Sequence, residues 1–81
     1  MNPLARYLVN KLAKIDHNSL MAGRIEMALV EFGYWIMKRP NDYEWAEMPS
    51  TSVLKECELI VEFNTDDEYM MGIFSDGTDK I

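Results

Sequence analysis

The chain has 81 residues, 48% of them hydrophobic and 27% charged, with a formal net charge of −6. That length holds one domain, residues 1–81, and the balance of apolar and charged residues excludes a disordered segment. A single Cys57 and a single His17 exclude an intramolecular disulfide and a Cys/His zinc site, and a pI near 4.6 argues against a free-standing basic binder of nucleic acid. No basic segment leads into a long apolar run at the N-terminus, so a cytoplasmic location is expected.

Asn2 and Pro3 make a helix start, cap residue followed by proline at the first helical position. The helix that follows carries Leu4, Leu8, Leu12 and Ile15 as one stripe, with Arg6, Asn10 and Lys14 away from it. Asp16, His17 and Asn18 form a tight connection, and two helices so joined are expected to pack as an antiparallel hairpin.

The second helix is expected over Asn18 to Lys38, the stretch around which the fold is organised. Ile25, Ala28, Leu29, Phe32 and Ile36 recur at helical spacing beside Trp35, Asn18 or Ser19 supplies the cap, and Lys38 and Arg39 suit the negative end of the dipole before Pro40 stops the helix. Leu20, Met27, Val30, Tyr34 and Met37 make its other side apolar as well, which predicts burial on more than one side. Arg24, Glu26 and Glu31 exclude a membrane span.

Residues 40–49 read as a loop with aromatic anchors Tyr43 and Trp45. Beyond Pro49 two patterns compete. Ser50 to Glu62 fits a helix with Val53, Cys57, Ile60 and Val61 on one face, whereas Glu56 to Phe63 alternates as a strand, with Tyr69 to Phe74 as its hairpin partner. Thr65-Asp66-Asp67-Glu68 satisfies the capping box and favours a short helix from Asp66 to Phe74. The fold expected is therefore mainly α, four helices built on a helical hairpin. The alternative is α+β, the helical hairpin packed on a C-terminal β-hairpin.

Charge is divided along the chain. Through Pro40 there are six basic residues against three acidic ones, a balance of +3; from Asn41 onward there are two against eleven, a balance of −9. An acidic half suits a basic partner or the other half of the same chain. No catalytic signature, phosphate loop or metal-ligand spacing is present, so neither an enzyme nor a cofactor or metal is expected. The contact surface expected for a protein partner is Tyr43, Glu44, Trp45, Glu47, Asp66, Asp67 and Glu68. Arg6, Lys38 and Arg39 are the candidate nucleic-acid contacts.

Residues 24–56 carry RIEMALVEFGYWI, an aromatic-Gly-x-Trp element after Arg and Glu, then MPSTSVL, a Pro-Ser-x-Ser helix start. This stretch resembles the N-terminal part of phage late-gene antitermination proteins of the Q type, with Phe32 where that pattern has tryptophan. The resemblance implies a phage origin, action on host transcription through RNA polymerase, and a DNA-recognition helix lying beyond Ile81. Together these readings lead to a small acidic non-enzymatic regulator or inhibitor that occludes a host protein handling nucleic acid. An antiterminator-like transcription factor and a self-assembling subunit, a homodimer through the 18–38 helix, are the alternatives.

Overall fold

The computed structural model describes residues 1–48, 56–65 and 68–77. Two helices, α1 (Pro3–Leu12) and α2 (Leu20–Glu31), precede an antiparallel sheet of β1 (Tyr34–Pro40), β2 (Glu58–Asn64) and β3 (Tyr69–Ser75) in the order β1-β3-β2. The architecture is thus α+β, and the mainly α expectation is overturned. Asn2 caps α1 as its sequence requires: its Oδ1 accepts from the amides of Leu4 at 2.9 Å and Ala5 at 3.1 Å. Ser19 does the same for α2 through Ala22 N, at 3.2 Å.

The expected helix over 18–38 breaks at Gly33. Phe32 closes α2 by donating its amide to Ala28 O and Leu29 O, and Gly33, at φ +98°, donates to Val30 O. A glycine in the left-handed region is the ordinary end of a helix, and the aromatic and β-branched run Tyr34-Trp35-Ile36 that follows favours a pleated strand. Lys38 and Arg39 therefore lie on a strand, and Pro40 ends it at a sheet edge, where a missing amide is tolerated. Gly33→Ala is expected to destabilise the domain by about 1–2 kcal/mol, because a Cβ disfavours that backbone region. Gly33→Asn should lose less, since asparagine tolerates left-handed geometry. Thermal unfolding by circular dichroism checks this, and equal midpoints for wild type and Gly33→Ala would count against the cap.

Of the expected helix over Asp66 to Phe74, residues 69–74 belong to β3, and residues 66–67 lie outside those described. The capping-box threonine instead closes the β2–β3 hairpin, its amide and Oγ1 donating to Tyr69 O at 3.1 and 3.3 Å. The expected helix over Ser50 to Glu62 becomes β2 from Glu58 onward, and its residues 50–55 lie outside those described. Composition explains the strand order: YMMGIFS carries no charge and is mostly buried, whereas the edge strands YWIMKRP and ELIVEFN carry the charges that discourage edge pairing.

One face of the sheet meets the helices. Ala5, Val9 and Leu12 of α1, Ala22, Ile25 and Leu29 of α2, Tyr34, Met71 and Ile73 form the core, with Ile36, Val61 and Phe63 packed on it. Of the expected α1 stripe, Leu12 is in the core and Leu8 and Ile15 pack against it, whereas Leu4 is exposed and Ala5 and Val9 face inward as well. Cross-strand partners share a face. The register therefore assigns Trp35, Met37 and Arg39, with Met70, Gly72 and Phe74, to the opposite face, and a bulge between Leu59 and Val61 brings Leu59 beside Phe74 on that side.

Candidate functional site

The face of the sheet turned away from the helices is covered by the segment after β1. Its 3-10 turn, Trp45–Glu47, is closed by the Glu47 amide on Glu44 O at 3.0 Å and by Glu47 Oε1, which accepts from the Glu44 amide at 2.8 Å. The turn delivers the Trp45 indole onto the sheet at Gly72. There it meets Phe74 edge-on, ring centroids 5.2 Å apart at 89°. A glycine in a central strand marks such a close approach. A Cβ at Gly72 would lie 2.6 Å from Trp45 Cζ2.

Arg39 holds the assembly. Its Nη1 donates to the carbonyls of Pro40 and Asn41, both at 3.3 Å, and to that of Tyr43. Its Nη2 lies 3.6 Å from Glu62 Oε2, and its Cζ sits 5.1 Å from the Trp45 ring centroid. Glu62 Oε2 also accepts from the Trp45 indole nitrogen at 2.6 Å. A planar guanidinium is suited to this set, since it forks between several acceptors while stacking on an aromatic face. Elsewhere the Asn41 amide donates to Glu68 O at 2.9 Å and Asn64 Nδ2 donates to Asn41 Oδ1 at 3.2 Å. Segment 41–47 is therefore fastened to both β2 and β3.

What this framework displays is negative charge. Asp42, Glu44, Glu47, Glu56, Glu58, Glu62, Glu68 and Asp76 are all exposed residues, and no lysine or arginine occurs among the described residues of 41–77. The helical layer is mixed, with Arg6, Lys11, Lys14 and Arg24 beside Asp16, Glu26 and Glu31. Among the described residues, the 41–47 segment and the β2–β3 hairpin thus carry charges of one sign, whereas the helices carry both.

Of the expected contact residues, Tyr43, Glu44 and Glu47 are exposed on this segment and Glu68 at the hairpin, while Asp66 and Asp67 lie outside the described residues. Trp45 is half-buried and serves as the anchor beneath its acidic neighbours. Arg6 is exposed on α1 and Lys38 on β1, whereas Arg39 is buried with its guanidinium turned to carbonyls and Glu62. Arg39, Glu62, Gly72 and Phe74 were not joined by the sequence reading; the signal for them is the two-residue alternation of 34–40 and the lone glycine within 69–75. Among the described residues no three potential metal ligands gather, Cys57 is a free thiol, and His17 Nδ1 is buried without a partner, its ring 6.2 Å from that of Phe63. No helix of the described residues is long and apolar enough to cross a membrane. No protein-family model matches the chain, and neither the curated proteins nor the solved structures compared with it gave a match.

Proposed function

We propose that the chain is a small non-enzymatic regulator that binds a basic surface on another protein, of the kind that handles nucleic acid, and acts by occluding it. The observation that supports this reading is the set of exposed carboxylates, free of lysine and arginine among the described residues, on a segment pinned by Arg39 and Trp45. Grooves that hold nucleic acid are positive, and a fixed array of carboxylates competes for the same field. Pinning the segment lowers the ordering cost of binding, and complementary charge speeds encounter. Glu44 and Glu47 are the contact residues, with Tyr43 offering an exposed ring between acidic neighbours.

The test is capture from bacterial lysate with the wild-type chain and with Glu44→Lys/Glu47→Lys, each at low and at high salt. A basic protein retained by wild type at low salt, released at high salt and missed by the variant is the expected result. Identical capture by both chains would contradict the reading. A mobility-shift titration with DNA and RNA separates it from direct nucleic-acid binding through Arg6 and Lys38, because the proposed regulator shifts neither.

A further inference from the structure

The side of α2 away from the core exposes several large apolar side chains. Ala22, Ile25 and Leu29 turn inward, while Leu20, Gly23, Met27 and Val30 follow one another on the outside at three- and four-residue spacing. Leu20 is 73% exposed, Met27 69% and Val30 52%, and Trp35 at the neighbouring sheet edge is 48% exposed. A helix apolar on both sides is normally covered on both; here the described residues cover one. Met27 stands as a ridge between two open hollows. One, of about 680 Å³, lies over Gly23, where an added Cβ would meet nothing within 4 Å; the other, of about 370 Å³, is bounded by Val30, Trp35 and Ile36.

Charge identifies what covers this face. Arg24 and Glu31 are exposed, flank Met27 along the helix, and make no ion pair among the described residues. Seven residues apart, they lie on one line of the helix to within about 20°, separated by about 10 Å along its axis. We infer that α2 is the seam of a two-fold symmetric homodimer, with a second copy running antiparallel and the axis passing beside Met27. A two-fold of that kind keeps the line and reverses its direction. Arg24 of each copy then faces Glu31 of the other, giving two reciprocal pairs, and Val30 of each enters the hollow over Gly23 of the other. Such self-complementarity is what an isologous interface requires. A parallel arrangement would set Arg24 against Arg24 and Glu31 against Glu31. A basic partner, by contrast, is drawn to the acidic side of the molecule and not to a face bearing both signs.

Sedimentation velocity on the wild-type chain over a micromolar dilution series tests the seam. The expected mass at the high end is twice 9.4 kDa, falling toward 9.4 kDa on dilution. Met27→Glu, at an exposed position, is expected to be monomeric with an unchanged circular dichroism spectrum. Arg24→Glu and Glu31→Arg are each expected to weaken association roughly tenfold by setting like charges face to face. An equimolar mixture of these two variants, and the double variant alone, are expected to recover it, because the opposite charges meet again. A wild-type chain that stays monomeric throughout would overturn the inference. So would a dimer indifferent to Met27→Glu, or single charge variants that neither weaken association nor recover it on mixing.

Discussion

Arg39→Ala is expected to destabilise the protein by about 3 kcal/mol, within the range for removing one side of a buried charged network. The guanidinium is the donor for three backbone carbonyls of the turn that follows β1, and it is the cation beside Glu62 and over Trp45. Removing it leaves those carbonyls without that donor and Glu62 without its cation. Arg39→Lys is expected to lie between the two, since an ammonium on a flexible stem cannot fork between the carbonyls and stack on the indole together. For a domain of this size a loss of about 3 kcal/mol lowers the unfolding midpoint by roughly 12–24 °C. Chemical denaturation of the three chains measures it. An alanine variant within about 0.5 kcal/mol of wild type, the scatter of an ordinary surface substitution, would mean that Arg39 does not hold the turn.

Gly72→Ala is the second large effect and is conditional. An alanine there would set its Cβ 2.6 and 2.9 Å from two ring atoms of Trp45 and 3.0 Å from Phe74 Cε1, so the indole must leave its seat. Losing that packing, and with it the indole bond to Glu62, is expected to lower stability by about 2 kcal/mol. Trp45→Ala alone is expected to lose about 2–3 kcal/mol, below the full range for a tryptophan because the ring is half-buried. In the Trp45→Ala background the main clash is gone, and Gly72→Ala is expected to be close to neutral, helped by the lower chain entropy of alanine. Four chains and one cycle of unfolding free energies decide the matter. An equal loss from Gly72→Ala in both backgrounds would show that the glycine serves some purpose other than admitting the indole.

Local chemistry was legible in the sequence where the answer itself was local. Asn2 with Pro3 and Ser19 cap the helices they were expected to cap, and Ile25 and Leu29 reach the core. The reading failed where two local signals agreed on the wrong answer. Phe32 and Ile36 stand four residues apart and continue a helical period, yet Gly33 at positive φ and the strand-favouring Tyr34-Trp35-Ile36 end the helix between them. Thr65 to Glu68 satisfies a capping box, but an uncharged, β-rich Tyr69 to Ser75 can pair on both sides in a sheet, and that long-range pairing outweighs a single cap. In α1 the expected stripe holds at Leu8, Leu12 and Ile15 and misses at Leu4, which is exposed while the small Ala5 is buried in the core.

The candidate site was half legible. Exposed acid on 42–47 follows from composition. The support beneath it joins Arg39, Trp45, Glu62 and Gly72, which no spacing rule connects, because their proximity exists only once β3 lies between β1 and β2. Trp45 was expected at the contact surface. Its ring packs on the sheet at Gly72 and Phe74, and in the proposed function its part is to fix the positions of Glu44 and Glu47.

The claim that this acidic side is the binding surface is tested most directly by the salt dependence of affinity for the protein captured with the wild-type chain. A dissociation constant that rises steeply with salt, and a shallower dependence for Glu44→Lys/Glu47→Lys, is the predicted result. Tight binding that does not change with salt and is indifferent to that reversal would contradict it.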